Sequence, residues 1–210
     1  MKRITLCALF LTLFLLISCN TSGSATKDGQ AAKSDGTIID LVTITNNIKD
    51  SVAFAKDVKE IHTLVKSVDE FVKGIGKKLK KDDGTLEDEK NDNNGQLVVG
   101  VYSLVSGIDT KLASLEKKVG LSSDLKAKIA GVKAKIKPFL DKLKDDDLCK
   151  KDVTDAHIKN AIDKNDNTGG KGKAELIALN TEIDELLTAA EAAVTSAINE
   201  LTTSTKSSNI

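Results

Sequence analysis

The sequence predicts an all-α fold: an antiparallel four- to five-helix bundle with long helices and room for one very short β-hairpin. Three observations lead there. Apolar residues recur three and four positions apart over long stretches, the spacing of one helix face. No run of any length alternates with the period of two that a half-buried strand needs. The breaks between periodic stretches are short clusters of Gly, Asn, Asp and Lys, and short connections favour up-and-down neighbours.

The chain opens on a segment of another kind. Met1-Lys2-Arg3 is followed by an apolar run from Ile4 to Ile17, broken only by Thr5 and Thr12, and then by Ser18-Cys19 and small polar residues. A charged start, a brief apolar run and a small residue before a polarity change describe a secretory signal, and the run is short of the roughly 20 residues of a comfortable membrane span. Leu16-Ile17-Ser18-Cys19 resembles the bacterial lipobox, in which the chain is cut before a cysteine whose sulfur carries a diacylglyceryl group. The signal is therefore residues 1–18, with cleavage between Ser18 and Cys19 and lipidation at Cys19. After Cys19, residues 20–37 are mostly Ser, Thr, Gly, Ala, Lys and Asp with no large apolar side chain, so 19–37 has the composition of a flexible tether. Residues 38–201 make the bundle, and 202–210 form a fraying tail.

Val58, Ile61, Val65, Val68, Val72, Ile75 and Leu79 form a heptad seam and predict a helix from about Asp40 to Lys78, weakened at its end by Gly74 and Gly76. Asp83-Gly84 between Leu79 and Leu86 is the place for the small hairpin. Val98, Val101, Val105, Ile108, Leu112, Leu115 and Val119 repeat the spacing in a second helix, with Gly120 as a left-handed C-terminal cap. Ser122 is the N-cap of a third helix, which places Leu125, Ile129, Val132, Ile136, Leu140 and Leu143 on one side. Ala127, Ala130, Gly131 and Ala134 fall opposite, either for close approach of another helix or for water. Pro138 should kink this helix. A short helix follows Asp152-Val153-Thr154, and a final one spans about Lys173 to Leu201 with a broad apolar face.

Residue supply excludes most chemistry. The chain holds 31 Lys+Arg against 31 Asp+Glu, and loss of Lys2 and Arg3 leaves the product slightly acidic. That balance and the few aromatics argue against nucleic acid as a partner. With Cys7 removed and Cys19 a thioether, Cys149 is the last free thiol, expected buried as a small apolar residue or paired with another chain. His62 and His157 have no motif partners, no Cys/His spacing suits zinc, and neither a metal, a cofactor nor an enzymatic reaction is expected. Asp163 to Asn167 begins like a calcium loop, but Thr168 stands where glycine is required and Ala174 where glutamate is. Gly169 to Ala174 lacks the glycine and Ser/Thr of a phosphate loop. What remains is binding by surface. Lys126, Lys133 and Lys137 edge the third helix and, with Lys77, Lys78, Lys80, Lys81, Lys150 and Lys151, make a candidate patch for polyanions or a solvated face.

The signal MKRITLCALFLTLFLLISC is similar to those of Borrelia outer surface protein C and the variable small proteins. The resemblance continues through KDVKEIHTLVKSVDEFVKGIGKKL (56–79) and NNGQLVVGVYSLV (93–105). In LCKKDVTDAHIKNAIDKNDNTGGKGKAELIALNTEIDELL (148–187) it is specifically to a variable small protein. It implies a helical bundle with a short hairpin, a homodimer, and a lipid-anchored place on the cell outer membrane. It also implies a serotype-defining antigen that meets host antibodies in immune evasion, some members binding host glycosaminoglycan or plasma protein. Outer surface protein C lines a dimer-interface cavity with two acidic residues two positions apart; Glu60 matches the first and His62 departs from the second. Two other readings stand beside the antigen: an adhesin binding host polyanions through the lysines, and a periplasmic helical carrier or chaperone lipoprotein. For a dimer interface the sequence offers the first heptad seam and the Ala/Gly strip, without choosing.

Overall fold

The computed structural model describes residues 30–32 and 38–206. The signal, Ser18 and Cys19, most of the expected tether and the last four residues lie outside them. Contacts separate the body of the bundle, Asn46–Glu200, from a second unit whose described residues are 30–32, 38–45 and 201–206.

In that second unit, β1 (Gln30–Ala32) pairs antiparallel with β2 (Ile38–Asp40). β1 falls within the span read as tether and β2 at the start of the span read as bundle, and they make a second hairpin where one was expected. Helix α1 (Leu41–Lys66) starts immediately after β2. Asp40 caps it: Thr43 N–H donates to Asp40 Oδ1 at 3.0 Å and the Thr43 hydroxyl to Oδ2 at 2.7 Å. The Thr43 backbone N–H, followed by its hydroxyl, holds the Asp40 carboxyl below its ordinary range.

The first long helix is shorter than its seam predicts. It stops at Lys66, Ser67 interrupts, and α2 is only Val68–Val72. The Ser67 hydroxyl donates to the Leu64 carbonyl at 2.7 Å, a local bond that competes with continuation of the helix. Val58, Ile61, Val65, Val68 and Ile75 are all buried within this chain, so the seam is spent on its own core and is not a free dimer face. Leu79 leaves the core: it belongs to β3 (Lys77–Leu79) and is 68% exposed. β3 pairs with β4 (Leu86–Asp88) in the expected hairpin, with Leu79 opposite Leu86. The turn is built by Gly84 at φ +70 and by Asp83, whose Oδ1 accepts from both the Thr85 N–H and its hydroxyl.

Helix α3 (Gly95–Glu116) buries Val98, Val101, Val105, Ile108, Leu112 and Leu115. It ends one turn before Val119, which is 98% exposed beside Gly120 at φ +84, so Val119 is not part of the seam. Helix α4 (Ser123–Lys142) is capped by the Ser122 hydroxyl, which accepts from Leu125 N–H. It continues through Pro138, and after Ile136 the buried residue is Phe139, with Leu140 only half-buried. Pro138 is exposed and so is Ala134, whose carbonyl loses its i+4 donor on the solvent side of the helix. Ala127, Ala130 and Ala134 face outward, while Gly131 sits under the Glu182 carboxylate of the last helix.

Helix α5 (Asp155–Ile162) is capped by Thr154, and α6 (Lys173–Lys206) runs past Leu201 into the residues expected to fray. Ion pairs fix the helix order. Lys118 and Lys111 of the α3 end meet Asp57 and Glu60 of α1; Lys128 of α4 meets Glu185, and Lys66 of α1 meets Asp184 of α6. Neighbours therefore run antiparallel around one core that includes Leu176, Leu179, Ile183, Leu186 and Ala190 of α6.

Candidate functional site

Glu60 and His62 point to different neighbours. Glu60 accepts from Lys111 Nζ of α3 at 2.7 Å, while His62 Nε2 lies 2.8 Å from Asp184 Oδ1 of α6. Residues two apart on a helix stand about 200° apart, so within one chain the pair cannot line a common cavity.

His62 belongs instead to a bridge between α1 and α6, since Lys66 Nζ donates to the other Asp184 oxygen at 2.9 Å. Burial pushes the Asp184 carboxyl up, but the bonds from Lys66 and His62 outweigh it and leave the group below its ordinary value. A depressed carboxyl contributes stability above its unfolded pKa and loses it as pH falls through the folded one. Asp184 is about half exposed, so screening limits the contribution to about 1 kcal/mol or less. Asp184→Asn should therefore lower stability slightly near neutrality and flatten the loss of stability below about pH 4, the ordinary carboxylate range. Denaturant midpoints measured across the acid range check this; an unchanged acid slope would assign the bridge no energetic role.

The lysines of α4 are mostly committed. Lys133 Nζ is 2.7 Å from Glu116, which raises its pKa, and Lys137 pairs with Asp141 one turn on. Lys128 is held by Glu185. Lys126 makes no ion pair among the described residues. Of the three α4 lysines singled out, two are therefore neutralised by carboxylates and Lys126 is left over among the described residues.

The loop 163–172 engages its carboxylates internally. Asp163 Oδ1 accepts from Asn165 N–H, and Asp166 Oδ1 from Thr168 and Gly169 N–H. The Gly169 N–H is the main cause of the depressed Asp166 carboxyl. Lys173 Nζ donates to the Asp166 carbonyl and ties the loop to the start of α6. These are Asx turns, not a ligand cage. His157 Nε2 lies 3.8 Å from Asp147, whose carboxylate is shared with Lys171.

Cys149 corrects an expectation. It is exposed, its thiol only 3.8 Å from the Leu143 carbonyl, because the core position beside it is taken by Leu148. It lines a groove with Lys144, Lys150 and Lys151 that the sequence did not reveal, since its walls lie some fifty residues apart in the chain.

Glu60, His62, Lys133 and Lys137 are thus held in ion pairs along and between the helices, and comparison with known proteins places the chain in a family. The family profile described as Lipoprotein matches residues 38–207. Variable small protein 11 of Borrelia hermsii is 43% identical over 212 residues, covering 98% of this chain and 99% of that protein. Outer surface protein C of Borreliella burgdorferi is 39% identical over 207 residues, covering 96% and 95%. The chain belongs to this lipoprotein family. A solved structure of variable small protein 1 of Borrelia turicatae is similar at 57% identity, with a TM-score of 0.72, covering 77% of this chain and 99% of that one. As a member of the variable small protein and outer surface protein C family, the chain is a lipid-anchored lipoprotein exposed at the outer membrane, and the family is one of surface antigens, not of enzymes.

Proposed function

We propose that the chain is a serotype-defining variable antigen that serves immune evasion, cleaved between Ser18 and Cys19, held by lipid on Cys19 and displayed as a homodimer to host antibodies. The observation that carries the reading is the sequence Leu16-Ile17-Ser18-Cys19 ahead of a bundle whose helices are laced by ion pairs on its own surface. Such a body keeps one fold while exposed residues change, because surface substitutions away from the core shift stability by only about 0.5 kcal/mol. Its described small-residue face, Ala127, Ala130 and Ala134, is the remaining candidate for contact between two copies.

Cys19→Ala should leave an uncleaved or soluble, unlipidated product that no longer partitions with the membrane. Protease added to intact cells should remove the wild-type protein. Normal partition of Cys19→Ala would refute the anchor, and protection from protease would favour a periplasmic carrier over display. The adhesin alternative has Lys126 as the one member of its three α4 lysines outside an ion pair among the described residues.

A further inference from the structure

A groove of about 610 Å³ runs along the first two turns of α3, against the chain that follows α4. Its floor is apolar: Val98, Leu143 and Leu148 are buried beneath it, and Val99 stands exposed along its wall. Tyr102 closes one end, with Lys144 Nζ 5.9 Å from its ring centroid. Lys150, Lys151 and the exposed Cys149 form the opposite side.

The groove is fixed by the backbone. Gly95 N–H donates to the Lys151 carbonyl at 3.2 Å and Asn94 N–H to the Val153 carbonyl at 3.0 Å. A Cβ on Gly95 would stand 2.3 Å from the Lys150 carbonyl oxygen, so glycine is what lets segment 148–151 close onto α3. Every charged residue that lines the groove is a lysine. Lys144 is shared with Asp141 at 3.0 Å and Lys150 reaches Asp147 only at 3.5 Å, both carboxylates lying outside the lining. Lys151 makes no ion pair among the described residues.

We propose that this groove binds a single-chain anionic amphiphile, with its alkyl tail along Val98, Val99 and Leu148 and its carboxylate or sulfate head on Lys150 and Lys151. Apolar surface rewards burial of the tail in proportion to its area, and mobile ammonium groups serve a compact anion well. The volume lies within the range of small-molecule sites. An acidic peptide would share the charge but would need a row of backbone partners, and the α3 wall is a helix face whose N–H and C=O groups are spent within the helix. The proposal goes beyond surface display and does not depend on the lipid at Cys19.

Cys149 provides the readout. In the full mature chain carrying Cys19→Ala it is the sole thiol. Decanoate, kept below its micelle-forming concentration, should slow alkylation of Cys149 by a small maleimide several-fold and saturably. Lys151→Glu should weaken that protection and Val99→Asp abolish it; both positions are exposed, and circular dichroism establishes that the variants keep the bundle. No protection by decanoate overturns the proposal. Equal protection by decyltrimethylammonium, which keeps the tail and reverses the charge, or by acetate, which lacks the tail, overturns it too. Stronger protection by an acidic peptide with an aliphatic anchor would replace the amphiphile with a peptide ligand.

Discussion

Phe139→Ala should cost about 3–5 kcal/mol, the range for deleting a buried aromatic ring. Phe139 is fully buried on the turn after Pro138 and faces Gly172, where a Cβ would stand 3.2 Å from its ring. The surrounding residues cannot collapse into the space: one side is the Gly172 backbone, and Ile136 and Leu143 are already fixed in the core. For a domain of this size the loss corresponds to a fall in melting temperature of roughly 10 °C. Leu140→Ala, one residue on and half-buried, should cost clearly less. Thermal and denaturant unfolding of the two variants side by side decide the matter. A larger loss at Leu140 than at Phe139 would show that the core register after Pro138 is wrong.

That pair of residues also shows how far the sequence could be read. The bundle, the hairpin at Asp83-Gly84 and the Ser122 cap were legible because each rests on local chemistry: a repeat of three and four, a left-handed glycine, a hydroxyl facing free N–H groups. The spacing from Leu125 through Ile129, Val132 and Ile136 alternates four, three, four. Continuing that alternation picks Phe139 and then Leu143, while Leu140 breaks it. The information was present, and the proline obscured it. Other residues depended on tertiary competition that spacing does not encode. The seam runs unbroken through Ser67, yet the helix ends there, since a hydroxyl on the Leu64 carbonyl is invisible to apolar periodicity. Val119 fits the repeat but falls beyond the last turn and into solvent.

The candidate site was less legible than the fold. Glu60 and His62 were singled out by resemblance, but two positions on one helix diverge, and each is claimed by a partner 51 or 122 residues away. Lysine spacing on α4 placed Lys126, Lys133 and Lys137 along one edge, while the carboxylates that neutralise two of them come from the end of α3 and the next turn of α4. Charge counting along a chain gives the balance; only packing shows which charges are left over. The free lysine at 151 and the thiol at 149 emerge where α3 and the segment after α4 meet, a junction no local pattern announces.

Gly95→Ala tests that junction directly. On the first turn of a helix the substitution should be favourable by propensity, since alanine exceeds glycine by about 1 kcal/mol. Here the added methyl meets the Lys150 carbonyl at 2.3 Å, the Lys151 carbonyl at 2.9 Å and the Lys151 Cα at 3.0 Å, all backbone and none able to rotate away. Segment 148–151 must retreat, which strains the Gly95-to-Lys151 and Asn94-to-Val153 hydrogen bonds that close α3 against it. Overpacking of this kind typically costs about 1–3 kcal/mol, and loss of a buried bond adds about 1 kcal/mol more. The net expectation is destabilisation of about 2 kcal/mol despite the better helix former. Gly100→Ala, five residues along the same helix, supplies the contrast: nothing lies within 4 Å of its Cβ, so propensity acts alone and the variant should gain about 0.5–1 kcal/mol. Denaturant unfolding of both variants should therefore move in opposite directions. If Gly95→Ala stabilised the chain as Gly100→Ala does, segment 148–151 would have to stand away from α3, and the groove between them would lose the wall that carries Lys150 and Lys151.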